Sequence, residues 1–91
     1  MSAKNIPIDV ICKFEGQPCD APIPIKFRFT RQDGTRITVQ VDQVKDIEHD
    51  FPMTNHTIKY RCLTIQDSRQ IEYELRYFAK TFQWQLYQFL R

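Results

Sequence analysis

The side chains best suited to hold a soft metal ion, or to act as nucleophile and base, are His49, His56, Cys12, Cys19 and Cys62. A zinc site legible in sequence shows close pairs such as Cys-x2-Cys. Here the nearest cysteines stand seven positions apart, and no such pair exists. Asp46-x-Glu48-x-Asp50 is an alternating acidic triple that could hold a hard cation. A calcium loop adds a central glycine and a distal bidentate glutamate, and both are missing. Catalysis needs a nucleophile, a base and groups that hold them together. His49 and His56 flank one segment near Asp50 and Thr57, but no Gly-rich phosphate loop, Ser-centred elbow or Cys-His motif accompanies them. A metal-dependent or hydrolytic enzyme is therefore the weakest reading. No catalytic residue, metal ligand or cofactor is assigned.

Binding surfaces are better supported. Lys26, Arg28, Arg31 and Arg36 surround the single acid Asp33, a local charge of +3 within an overall charge of +2. Small barrels bind single-stranded nucleic acid through a basic groove with outward aromatic rings. The outward positions beside these cations carry no ring, because Phe27 and Phe29 alternate to the other face. An ordinary charged solvent face is the plainer account. The second surface is apolar: Leu63, Ile65, Tyr87 and Phe89 form an outward strip flanked by Glu72 and Glu74 if the strands stay regular. Soluble monomers rarely expose such a strip without use. A bulge between Leu86 and Tyr87 would instead turn Tyr87 and Phe89 into the core. A protein partner or self-association would cover the strip equally well.

The elements that position these residues are strands. The chain has 91 residues, room for one domain with a modest core. Its hydrophobic share of 42% and charged share of 26% suit a folded chain and not a disordered one. No apolar run reaches the length of a membrane span or secretory signal, so a cytoplasmic protein with reduced thiols is expected.

Period-two alternation dominates. A first strand, residues 6–14, turns Ile6, Ile8, Val10, Cys12 and Phe14 to one face. A second turns Ile23, Ile25, Phe27 and Phe29 inward, and a third Ile37, Val39 and Val41. Register tests the turn between them. A three-residue Gln32-Asp33-Gly34 loop pairs Phe29 with Ile37 and Phe27 with Val39, and its last position suits the left-handed glycine. A two-residue Asp67-Ser68 loop pairs Cys62 with Tyr73, Tyr60 with Leu75 and Ile58 with Tyr77, and sets Arg61 opposite Glu74. A Lys80-Thr81 turn sets Trp84 opposite Tyr77 and Leu86 opposite Leu75, in a last strand carrying Phe82, Trp84 and Leu86 inward.

The segment 42–56 breaks the alternation. A bulge or short helical turn is expected near residues 42–45, followed by a loop over 48–56 that includes Phe51, Pro52, Met53 and Asn55. The expectation is an all-β, six-stranded antiparallel meander forming a small barrel or a tight two-sheet stack. Its core would be Ile8, Val10, Phe14, Ile25, Phe27, Phe29, Ile37, Val39, Val41, Tyr60, Tyr73, Leu75, Tyr77, Trp84 and Leu86.

The strings Ile6-Pro7-Ile8-Asp9-Val10-Ile11-Cys12-Lys13-Phe14, Ile25-Lys26-Phe27-Arg28-Phe29, Val41-Asp42-Gln43-Val44, Tyr60-Arg61-Cys62 and Tyr73-Glu74-Leu75-Arg76-Tyr77, with Trp84-x-Leu86-Tyr87, carry a resemblance. Together they resemble a group of short uncharacterised bacterial proteins of anaerobic Gram-positive lineages. That resemblance implies a small cytoplasmic all-β protein and implies no activity. The residues point to a non-catalytic binding module for a protein partner. The alternative is a nucleic-acid-binding barrel using the basic hairpin.

Overall fold

Seven strands build the molecule in the computed structural model, which describes residues 5–16, 21–50 and 56–90. They are β1 (Ile6–Lys13), β2 (Ile23–Thr30), β3 (Arg36–Gln40), β4 (Gln43–Asp50), β5 (Thr57–Gln66), β6 (Arg69–Phe78) and β7 (Gln83–Phe89). They form one antiparallel sheet in the order β3-β2-β1-β7-β6-β5-β4. The sheet curls into a half-barrel, short of a closed barrel and distinct from a two-sheet stack. Among the described residues no helix is long and apolar enough to cross a membrane.

The turn chemistry sets the registers expected from alternation. Phe29 faces Ile37 and Phe27 faces Val39 across the 32–34 loop, where Gly34 has a φ of 89°. Cys62 faces Tyr73, Tyr60 faces Leu75 and Ile58 faces Tyr77. The tight turn between these strands holds Asp67 and Ser68 at positive φ, as a type I′ hairpin demands. Trp84 faces Tyr77 and Leu86 faces Leu75. That ladder ends at Phe78 opposite Gln83, so residues 79–82 form a longer turn than a two-residue one. Phe82, expected inside, sits in this turn at φ 58° and is 80% exposed.

The seventh strand corrects the expected count of six. Residues 43–50 form an edge strand where a bulge or helical turn and then a loop were expected. A bulge does sit there: Val44 faces Cys62 and Asp46 faces Arg61, which leaves Lys45 as the extra residue. That residue lets Val44 and Ile47 share one face although their spacing is odd. The strand reads as polar because its outer face pairs charge with charge, Asp46 opposite Arg61 and Glu48 opposite Lys59. Phe51, Pro52, Met53 and Asn55 lie outside the described residues.

A second bulge corrects the core. Ile11 faces Lys26 and Cys12 faces Pro24, so Ile25 is extra on β2. Pro24 is buried in its place and Ile25 is exposed. Phe14 lies just past the end of β1 and is 68% exposed, not core. The buried cluster is Phe27, Ile58, Tyr60, Cys62, Tyr73, Leu75, Trp84 and Leu86. Removing each large side chain of this kind from water stabilises by about 1.5–3 kcal/mol. Ile8, Val10, Phe29, Val39, Val44 and Ile47 pack against the cluster while staying half-buried. On β3 and β4 that partial exposure follows from position, since no further strand covers either edge.

One polar chain fixes the curl. Thr64 Oγ1 donates to the Gln40 carbonyl at 2.6 Å. Its lone hydroxyl proton is then used, so it accepts from the Tyr73 hydroxyl, also at 2.6 Å. The Asp42 amide donates to the Leu63 carbonyl, and the Asp42 carboxylate accepts from the Ile65 amide. The end of β3 is thereby tied to β5, the strand next to the opposite edge of the sheet.

Candidate binding site

The expected apolar strip does not assemble. Leu63 is buried at 7% exposure. It faces Gln43 and Glu72, and the Glu72 carboxylate holds Lys45 Nζ at 3.0 Å. Ile65 alone of the four stands open, at 55%. Glu74 faces Gln88 while Leu75 faces Leu86, which makes Tyr87 the extra residue of a bulge on β7. The bulge returns Phe89 to the inner face opposite Tyr73, with ring centroids 6.2 Å apart. Tyr87 stays outside, under the Arg76 guanidinium at 3.4 Å. Arg76 is itself held by Glu74 at 2.7 Å. The strip is thus broken by a burial, a bulge and a cation–π cap.

The basic residues spread along the β2–β3 hairpin. Arg28 is paired with Asp9 at 3.1 Å. Lys26 faces Ile11 on one side and Gln40 on the other. Arg31 and Arg36 stand at the turn end, with the Arg31 amide closing on Thr35. A shallow depression of about 310 Å³ lies among Asp9, Ile11, Lys26, Arg28 and Thr38, and the one ring lining it, Phe27, is itself buried.

The histidines do meet. His49 Nδ1 and His56 Nε2 lie 3.0 Å apart, with the rings stacked at 5.2 Å. Among the described residues no group of three or more His, Cys, Asp or Glu side chains converges on a metal position. Glu48 and Asp50 approach Lys59 Nζ at 3.8 and 3.9 Å, so the acidic run is answered by the neighbouring strand. Cys62 is buried and burial pushes its thiol up to about 12, leaving no thiolate at neutral pH. Burial also raises the Cys12 thiol. Cys19 lies outside the described residues.

The concave feature that does form is a slot in the wall of the sheet. β7 pairs with Ile6, Pro7 and Ile8 of β1 and then ends. β1 continues to Lys13, paired on its other side with β2. The Arg31 amide donates to the Thr35 carbonyl and the Val41 amide to the Ile25 carbonyl, which turns the odd residues of β2 toward β3 and the even ones toward β1. Asp9 and Ile11, opposite Arg28 and Lys26, therefore bond to β2, and the even residues of β1 point their backbone groups toward β7. Val10 and Cys12 thus present N–H and C=O groups to the slot, with no ladder partner there among the described residues. The slot measures about 600 Å³. Val10, Cys12, Tyr77 and Trp84 line its inner side, and Phe14, Pro22 and Phe82 its rim. Tyr60 donates to the Pro22 carbonyl at 2.6 Å, anchoring that rim to the core. Burial, and then the neighbouring Cys12, raise the Tyr77 hydroxyl pKa.

Sequence reasoning missed Phe14 and Phe82 as site residues because alternation placed both inside. A signal for Phe82 is its place at the end of a turn. For Phe14 no local signal exists, since its exposure depends on how far β7 reaches. Searches of protein-family models, of curated proteins and of solved structures gave no match to this chain.

Proposed function

We propose that the protein is a non-catalytic binding module that takes up an extended segment of a protein by strand addition in the slot between β1 and the β6–β7 turn. The observation that carries this reading is the second half of β1, where the Val10 and Cys12 backbone groups face an aromatic-rimmed opening. Strand addition takes affinity from main-chain hydrogen bonds and specificity from pockets for alternate side chains. Here the main-chain groups belong to Val10 and Cys12, and the pocket is lined by their side chains with Tyr77 and Trp84. Phe14 and Phe82, exposed beside the slot, would lose water when a segment fills it. No cofactor and no membrane takes part in this reading.

The test is an amide NMR titration with the capped peptide acetyl-Thr-Val-Thr-Val-Thr-amide. Shifts centred on Val10 and Cys12, weakened in Phe14→Ala and Phe82→Ala, are expected. An unchanged spectrum at saturating peptide removes the slot as a strand acceptor.

A second reading, single-stranded nucleic acid on the β2–β3 hairpin, is favoured by one observation. Lys26, Arg31 and Arg36 have no ion-pair partner among the described residues. The missing stacking platform places it second. A short mixed oligonucleotide that shifts residues 26–40 at low salt, and not at moderate salt, would promote it.

A further inference from the structure

We infer that the segment taken up by the slot runs antiparallel to β1 and has a set order of charge. An acidic residue leads, a basic residue ends it, and two apolar residues lie between, separated by a polar one. The inference rests on the strand-addition reading and gives its occupant a sequence chemistry and a direction.

Backbone geometry sets the register. β7 pairs with β1 as far as Ile8 opposite Trp84, and residues 79–82 turn away from the line that would continue the pairing. A segment filling that line bonds to the N–H and C=O groups of Val10 and Cys12. Every pairing in the sheet is antiparallel, and antiparallel pairing is the more stable per residue. Residues of the segment opposite Val10 and Cys12 share their half-buried inner face, beside Tyr77 and Trp84, so apolar side chains suit them.

The outer row selects charge. Asp9, Ile11 and Lys13 are exposed, and toward the slot they occupy non-hydrogen-bonded positions. Facing side chains come closest at such positions, with Cα atoms about 4.5 Å apart. An antiparallel segment sets its first residue opposite Lys13 and its last opposite Asp9. Opposite charges stabilise such pairs, and like charges destabilise them. Asp9 touches Arg28 at 3.1 Å and Lys13 touches Glu15 at 2.6 Å, both exposed pairs. Pairs of that kind contribute little and leave each charge available to a second partner. The outer edge at β4 has no such polarity, since Asp46, Glu48 and Asp50 give it one sign from end to end.

The test is an amide NMR titration of the whole chain with three capped peptides. They are acetyl-Glu-Val-Thr-Val-Lys-amide, the reversed acetyl-Lys-Val-Thr-Val-Glu-amide and the uncharged acetyl-Thr-Val-Thr-Val-Thr-amide. The two charged peptides share composition and net charge, so only order separates them. The Glu-first peptide should bind about fivefold tighter than the Lys-first one, from two pairs that change from attraction to repulsion. The double variant D9N/K13Q should abolish that difference, and both side chains are exposed, so the fold is kept. A nitroxide in place of the acetyl cap of the Glu-first peptide should broaden amides around Lys13 more than those around Asp9. A preference for the Lys-first peptide, or broadening centred on Asp9, overturns the antiparallel order. Equal affinities for the charged peptides, or a difference that persists in D9N/K13Q, overturns the charge selection, while shifts at Val10 and Cys12 would still retain strand addition. Silence with all three peptides rejects the strand-addition reading and this inference together.

Discussion

The outer edges of the sheet and the open half of β1 present the same backbone chemistry to solvent, but their side chains treat it differently. β3 is five residues long and begins with Arg36. β4 carries a bulge at Lys45 and alternates Asp46, Glu48 and Asp50 outward. These are the devices by which sheets discourage edge pairing: short strands, like charges and a local kink. The run Asp9–Lys13 has none of them. Its two charges are opposite in sign, its centre is Ile11, and it is flanked by exposed Phe14 and Phe82. The lesson is that an unpaired edge is to be judged by its side chains, not by its free hydrogen-bonding groups.

Several changes break or sharpen that contrast. The largest effect is expected from Trp84→Ala, which removes the residue shared by slot wall and core. It packs on Tyr60 and Tyr77 at ring separations of 5.1 and 4.8 Å. A loss of about 3–5 kcal/mol in denaturant unfolding is expected. A loss under about 1 kcal/mol would make the slot wall independent of the core.

Alkaline pH addresses the closed corner. In the unfolded chain the Cys62 thiol ionises near its ordinary value of 9.0, while in the native state burial holds it protonated up to about 12. Between those values the native state binds more protons, so stability present below pH 9 falls as pH rises. Urea midpoints across that range should decrease, and less steeply in Cys62→Ala than in wild type. The same contrast predicts that a thiol reagent modifies Cys12 in the slot well before Cys62 in the folded chain.

Tyr73→Phe deletes the proton donor to Thr64 at the corner and should cost about 1 kcal/mol in the unfolding free energy. Phe82→Gly relieves a positive φ at the slot rim and should gain about 1 kcal/mol while weakening peptide uptake. Unchanged uptake in that variant would remove Phe82 from the site. The smallest stability change, within about 0.5 kcal/mol, is expected for the double variant D46V/E48V on exposed β4 positions. Its readout is association: light scattering should rise where wild type stays clear, because the charges that protect that edge are gone.

Much of the fold was legible in the order of the residues. The three hairpin registers followed from parity, turn length and Gly34, all local quantities. Their success reaches the paired positions of Tyr60, Tyr73, Leu75 and Leu86, which are fully buried. Three single extra residues limited the same method, although bulges near residues 42–45 and at Leu86–Tyr87 stood among its alternatives. Ile25, Lys45 and Tyr87 each shift the face of everything beyond them, and each bulge is defined by the strand opposite. Hence Pro24 was missed as core, and β4 was read as a bulge or helical turn followed by a loop. The Leu86–Tyr87 bulge stood as an alternative to the outward strip, but with Tyr87 turned inward together with Phe89. The basic hairpin was legible as charge, but the Asp9 that answers Arg28 lies 19 residues away.

By itself, the sequence determined an all-β chain, its hairpin registers and the alternation of Asp9, Ile11 and Lys13 against Val10 and Cys12. These depend on a two-residue period and on turn backbone preferences, which act within a few residues. Only the tertiary structure decided that the β1–β7 pairing stops at Ile8 and that Phe14 and Phe82 both line the slot. Both depend on where distant strands end against one another, and no local preference records that.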